Sequence, residues 1–260
     1  MMRTVRRYGT RALALALVFA PMGLQAQADG LPAASEVIDR YVEAIGGRAA
    51  FDGQPASHAT GTFSMPMAGL EAAMEIYSDS DPDRMVTIVE IPGMGTIYEG
   101  YTGGYGWAMD PNLGPRLLEG MELAAMSEGA STEGSLRDAS MFSERTTVEE
   151  TEMNGEACYK VRLVWNSGRE TTDCYSVETG LRVSSETVQS TPMGDVPVVS
   201  LMSDYQEFDG IRMPTRITQQ MMGNEQIITL DAVEFGGVSE DKFTPPPAIQ
   251  TLIEEKESGQ

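Results

Sequence analysis

A single histidine, His58, stands in a chain of 260 residues, so any Ser-His-Asp or Cys-His arrangement would have to be built on it. It lies in Pro55-Ala56-Ser57-His58 at the start of a predicted strand, and no glycine-flanked nucleophile elbow occurs anywhere. Zinc takes several His or Cys ligands, and one His with two distant Cys does not supply a usual site. Asp79, Asp81, Asp83 and Glu90 imitate the carboxylate spacing of a calcium loop. Arg84, however, stands where the sharp turn needs Gly, and Met85 to Ile91 alternates as a strand does, so a polar hairpin turn between Tyr77 and Met85 is the reading. Gly93-x-Gly95 and Gly103-Gly104-x-Gly106 are turns, because no strand-to-helix junction follows them to hold a phosphate. Carboxylates are so abundant that no pair stands out for glycoside chemistry. We therefore expect no catalytic residue, no metal and no cofactor, and read the chain as non-enzymatic.

The remaining reactive side chains are Cys158 and Cys174. Tyr159, Val161, Leu163 and Trp165 alternate with Cys158, Lys160, Arg162 and Val164, the period of a strand with one buried face. Asn166-Ser167-Gly168 suits a short hairpin loop. The returning strand puts Tyr175 and Val177 on one face and Thr172, Cys174 and Ser176 on the other. Both cysteines thus fall on the polar face, roughly across from each other. A cross-strand disulfide is expected, and two free buried thiols are the alternative if the register slips.

Compartment bears on that choice. Arg3, Arg6, Arg7 and Arg11 precede the apolar run Ala12 to Ala20, and Ala26-Gln27-Ala28 follows. Residues 1–28 read as a cleaved secretory signal, too short in its apolar core to span a bilayer. Export permits a disulfide. Its removal takes away four arginines and no acidic residue, moving the formal charge from −21 to −25. Such acidity argues against nucleic acid and anionic membrane surfaces, which demand clustered Lys and Arg.

The elements that position these residues are mostly strands. Ser35 can cap a helix with Ile38, Tyr41, Val42 and Ile45 on one face, ended by Gly46-Gly47. From His58 onward the period is two, with Gly, Pro, Asp or Asn between runs, which predicts an antiparallel meander. Pro111 to Met141 interrupts it with helices carrying Leu117, Leu118, Met121 and Ala125, a stripe that packs at least cost on the open face of the sheet. Asp209-Gly210 marks a hairpin, and Pro214 places its strand at an edge or a bulge. We expect one domain over 29–248 and an acidic flexible tail over 249–260.

The short helix ending in Ile45-Gly46-Gly47, the interrupted meander, Cys158-Tyr159-Lys160-Val161, the run Tyr175 to Leu181, the run Tyr205 to Thr218 and the closing Phe243-x-x-Pro245 together resemble the outer-membrane lipoprotein-sorting proteins of the LolA/LolB-like superfamily. The resemblance covers most of Ser35 to Pro247 and is strongest from Cys158 onward. It implies a mainly β fold: a strongly curved antiparallel half-barrel of about eleven strands with covering helices. It also implies a periplasmic binding protein of an outer-membrane bacterium, holding an acyl chain or lipidated polypeptide in an apolar cavity. The functional arginine and the C-terminal extension of the carriers have no counterpart that can be placed on a residue here. The alternative is an envelope sensor or protein-interaction module of the same fold, its cavity filled by its own helices.

Methionine is unbranched and polarizable and fills space in both an empty and a loaded cavity. On that ground we expect Met65, Met67, Met74, Met109, Met121 and Met141, with Trp107, Leu117, Leu118 and Phe142, to line the cavity or its lid. Ordinary core packing is the competing role for each, and for Trp107 and Trp165 above all.

Overall fold

The computed structural model describes residues 30–191 and 194–259; the expected signal segment lies outside them. In chain order the elements are α1 (Ala34–Ala44), α2 (Arg48–Phe51), β1 (Ser57–Met65), β2 (Leu70–Ser80), β3 (Asp83–Ile91), β4 (Gly95–Thr102), β5 (Tyr105–Asp110) and β6 (Gly114–Leu117). Then follow α3 (Gly120–Ala130), α4 (Thr132–Ser135), β7 (Phe142–Met153), β8 (Glu156–Trp165), β9 (Glu170–Ser176), β10 (Arg182–Thr191), β11 (Gly194–Phe208), β12 (Ile211–Met221), β13 (Asn224–Phe235) and α5 (Pro247–Ser258). The fold is mainly β, and the described residues form thirteen strands where about eleven were expected. The strands β6 and β7 account for the difference, since a four-residue run such as Gly114–Leu117 carries no readable period and β7 is mostly polar along its length.

All thirteen strands join one antiparallel sheet in the order β6-β5-β4-β3-β2-β1-β13-β12-β11-β10-β9-β8-β7. Its two edges, β6 and β7, are consecutive in sequence, and α3 and α4 form the connection between them. Helix α3 touches β2 to β5 on one side and β10 on the other. A flat sheet would set β5 and β10 roughly 38 Å apart at ~4.8 Å per strand, while an eleven-residue helix is only about 16 Å long. The two halves of the sheet therefore turn toward each other around α3.

Helix α1 packs Val37, Ile38, Tyr41 and Val42 on Val161, Leu163, Trp165 and Tyr175, which share the face of the sheet that meets α3. Its N-cap is Ala33, not Ser35; the Glu36 carboxylate accepts from the Ala33 N–H at 3.0 Å. At its far end Gly46 sits at φ +119°, where a Cβ would lie 2.2 Å from the Gly210 carbonyl oxygen, so only glycine lets the helix meet the β11–β12 turn. Pro214 lies in an interior strand opposite Tyr205, and the ladder accommodates it beside Asp204, whose φ is +55°.

The expected flexible tail is corrected: residues 247–258 form α5, with Ile249 fully buried against Trp107 and Phe243. Ile249, Leu252 and Ile253 recur at helical spacing and give this acidic segment one apolar face, with its carboxylates on the other. The cysteines form a disulfide, but diagonally: Cys158 pairs with Ser176 and Cys174 with Lys160. Both sulfur-bearing residues lie on the polar face as expected, yet neither is exposed.

The two rims of the sheet differ. The β1–β2, β3–β4, β5–β6 and β12–β13 turns lie on one rim, and each exposes one large apolar side chain: Met67, Met94, Leu113 and Met222. The opposite rim carries the Asp81-Pro82, Gly103-Gly104, Asn154-Gly155 and Asp209-Gly210 turns.

Replacing Ile249 by alanine is expected to destabilise the fold by about 2–5 kcal/mol, as for other fully buried aliphatic side chains, read from urea unfolding followed by Trp fluorescence. A change within about 0.5 kcal/mol would show that α5 is not docked.

Candidate functional site: a cleft beneath α3 and α4

The sequence between the two edge strands makes a lid with anchors on both halves of the sheet. Leu118 and Leu123 press on Gly106 of β5, where an added Cβ would lie 2.9 Å from Leu123 Cδ1 and 3.2 Å from Leu118 Cβ. At the other end of α3, Glu128 is buried and accepts from Arg169 Nε at 2.7 Å and from Ser167 Oγ at 2.6 Å, both in the β8–β9 turn. Ser131 caps α4 by accepting from the Gly134 N–H at 3.0 Å. The Asp83 carboxylate meets the Thr132 N–H from the β2–β3 hairpin, and burial, with Glu133 nearby, raises its pKa.

Beneath the lid lies a cleft of about 420 Å³ bounded by Tyr41 and Ile45 of α1, Met213 and Ile217 of β12, and Leu230 of β13. It shares Phe51, Ile211, Met213 and Leu230 with an adjoining space of about 280 Å³ that runs under α4 past Ala59, Ile76, Val233 and Phe235. Together they match the size range of small-molecule sites, roughly 300–1,000 Å³, and most of this wall is aliphatic or aromatic.

One end of the cleft is different. Asp173 is fully buried, and its Oδ2 accepts from Arg137 Nε at 2.8 Å, Tyr175 OH at 3.0 Å and an Arg182 terminal nitrogen at 3.5 Å, while its Oδ1 has no donor among the described residues. Tyr205 OH donates to the Arg182 carbonyl at 2.7 Å, and the Tyr41 ring lies 5.2 Å from that of Tyr175. Burial by itself would lower the Arg137 pKa, but the attraction of Asp173, together with Tyr175, Tyr41 and the hydrogen bond to Asp173, turns the net shift upward. Burial raises Tyr41, Tyr175 and Tyr205, and for Tyr175 the Asp173 charge adds to it. Arg137, Arg169, Arg182 and Arg212 all face the cleft; the guanidinium carbons of Arg137 and Arg169 lie 5.4 and 4.8 Å over the Trp165 ring.

The residues expected to line a cavity divide into groups. Met74 is buried on the cleft side of the sheet with Ile76 and Leu230, and Leu118 holds the start of the lid. Met65 closes β1 at the apolar rim, and Met121, 43% exposed, sits on α3 beside Gly168. Trp107, Met109 and Leu117 belong to a separate core with Phe243, Ile249 and Leu252, across the sheet from Gly106 and the lid. Met141 and Phe142 pack into the α1 core, with Phe142 4.4 Å from Trp165. Met67 projects from the β1–β2 turn, 75% exposed. The strand period gives two faces but does not say that a C-terminal helix covers the second one. The buried charges were missed altogether, although Asp173 shares its strand face with Tyr175, and a carboxylate at an inward position was the available signal. His58 stacks on Tyr77 at 4.5 Å and lies 3.4 Å from Glu75. Among the described residues no group of three or more His, Cys, Asp or Glu could hold a metal.

No family model matches this chain, and no curated protein matches it in sequence. Solved structures do match it in fold. A DUF1329-family protein of Desulfovibrio piger aligns with 15% identity and a TM-score of 0.57, over 82% of this chain and 98% of its own. A LolA superfamily protein of Nitrosomonas europaea aligns with 12% identity and a TM-score of 0.55, over 83% and 99%. A domain from Vibrio parahaemolyticus named for outer membrane lipoprotein sorting aligns with 14% identity and a TM-score of 0.54, over 81% and 97%. The fold is LolA-like, as the sequence motifs implied.

The buried tyrosines predict alkaline behaviour. Their folded pKa values lie above the value of about 10 that an unfolded tyrosine has, so above that pH the unfolded state releases protons the folded state keeps. Stability should be level up to about pH 10 and fall beyond it. Urea melts across this range, with tyrosinate absorbance recorded in parallel, are expected to show ionisation of these groups coincident with unfolding. Full ionisation of every tyrosine in a still-folded protein would contradict the burial described.

Proposed function

We propose that this chain is an exported, non-enzymatic carrier that holds an acyl chain, free or attached to a polypeptide, in the cleft beneath α3 and α4. The observation that carries the reading is the continuous apolar wall from Ile217 and Met213 past Leu230 to Ile76 and Val233, roofed by a lid anchored to both halves of the sheet. Burial of alkyl chain supplies the driving force, about 0.8 kcal/mol per CH₂. The likeness of fold to a domain named for lipoprotein sorting supports this class of cargo. The disulfide supports an oxidising compartment such as the periplasm. Of the residues expected from sequence, we assign Met74, Leu118 and Met121 to the cleft and its lid.

Native mass spectrometry of protein released gently from its own envelope is expected to show one bound acyl lipid or lipopeptide. A delipidated sample should take up a fluorescent fatty acid at one per chain. Met213→Asp, at the point shared by the two spaces, should weaken uptake at least about tenfold by setting an unpaired charge against the chain, with near-UV circular dichroism unchanged. An empty native protein that also refuses the probe would remove the carrier reading.

A second reading, an envelope protein-interaction module of the same fold, is favoured by the apolar rim. Met67, Met94, Leu113 and Met222 are each more than half exposed on neighbouring turns of a strongly acidic chain, and exposed apolar side chains gathered on one surface mark contact sites. A photo-crosslinking residue at Met67 or Met222 is expected to trap a polypeptide in living cells that one at Asn154, on the opposite rim, does not. Equal yields from both rims would remove this reading.

A further inference from the structure

We propose that the arginine-lined end of the cleft binds the anionic headgroup, a carboxylate or phosphate oxygen, of an amphiphile whose acyl chain lies along the apolar part. This rests on the carrier reading and adds the class of ligand to it.

The first support is an imbalance of charge. The chain as a whole carries −21, yet four arginines face this one cleft, and among the described residues Glu128 is the one carboxylate in its lining, with Asp173 buried behind Arg137 and Arg182. Glu128 is taken up by Arg169. Among the described residues Arg137 and Arg182 share Asp173 as their one ion-pair partner, and it is the one carboxylate acting on Arg137. Two guanidinium groups, with side chains 11% and 17% exposed, are therefore set against one carboxylate. A partly buried cationic excess of this kind is costly unless an anion meets it.

The second support is a specific donor. Arg182 reaches Asp173 through a terminal nitrogen at 3.5 Å, and its buried Nε–H has no acceptor among the described residues. Arg137 and Tyr175 already donate to Asp173 Oδ2 at 2.8 and 3.0 Å, which leaves Arg182 the longest of the three contacts to that oxygen. Arginine presents its donors as a planar fork suited to a carboxylate or phosphate. Arg212, also in the wall, has its nearest carboxylate, Glu207, at 3.9 Å on the exposed side.

The third support is continuity. Arg182 and Tyr205 share one cleft wall with Met213, Ile217 and Leu230. A free inorganic anion would leave the apolar stretch unused, and a neutral lipid would leave the arginines without a counter-ion. A molecule with an anionic end and an alkyl chain uses both.

The test compares oleate, its methyl ester, oleoyl lysophosphatidate and inorganic phosphate on delipidated protein, by calorimetry and by Trp fluorescence; Trp165 lies beneath Arg137 and Arg169. Oleate or the lysophosphatidate should bind at least about tenfold more tightly than the ester, as a charge-assisted pair requires, and the tighter of the two identifies the headgroup as carboxylate or phosphate. Phosphate alone should bind more weakly than either. Arg182→Gln should bring acid and ester to within about twofold of each other, and leave the ester unchanged. Should the ester equal both anions in the unaltered protein, or Arg182→Gln keep the preference, the headgroup site is wrong while the carrier stands. Should no amphiphile bind, the carrier reading itself fails. The comparison of acid with ester needs no variant, so it decides the matter even where Arg182→Gln does not fold.

Discussion

Thirteen strands in a single sheet create an apolar face that no second sheet covers, and the rest of the molecule follows from how that face is shielded. Over β8 and β9 the shield is α1, whose Val37, Ile38 and Tyr41 meet Val161, Leu163 and Tyr175. Over the middle it is the connection between the two edge strands. Because β6 and β7 are consecutive in sequence but lie at opposite ends of the strand order, their connecting helices must cross the open side, and the sheet must bend for a helix of eleven residues to touch both halves. The cleft is the part of the apolar face that neither α1 nor α3 fills.

Two polar devices hold this arrangement. The Asp173 cluster ties β9 to Arg137 just after α4, and the Glu128–Arg169 pair ties the end of α3 to the β8–β9 turn. Both are largely buried ion pairs, which contribute less to net stability than to a defined geometry, because desolvation offsets most of the Coulomb attraction. Here the geometry they define is the position of the lid relative to the sheet. The disulfide between adjacent strands β8 and β9 lies on the other face and fixes the register on which both devices depend.

The outer face of β2 to β6 is closed differently. Trp107, Tyr77 and Val86 are covered by Phe243 and Ile249 from the C-terminal segment, so this half of the sheet is buried on both sides. A strand buried on both faces has no polar face to advertise its orientation. That is why Trp107, Met109 and Leu117 were assigned from sequence to the cavity and belong instead to the opposite side.

Much of the fold was legible in the residues. Period-two runs between Gly, Pro, Asp and Asn turns are local properties, and so the all-β character, the hairpin at Asn166 to Gly168, the placement of helices between Pro111 and Met141 and the partnership of Cys158 with Cys174 could be read directly. The disulfide and hairpin depend on neighbours a few residues away, and strand alternation carries that information. The strand count falls short at β6, too short to show a period, and at the mostly polar β7, and the tail is misread because carboxylates accompany its three apolar residues. What the tertiary structure alone decided is which face each alternating set turned toward, and which distant charges met. Arg137, Arg169, Asp173 and Arg182 come from a loop, a turn and two adjacent strands, and they meet because the segment after α4 returns across β8 to β10. Sequence period specifies two faces for every strand but is symmetric between them, and only the closing of the sheet on its own edge-to-edge connection breaks that symmetry.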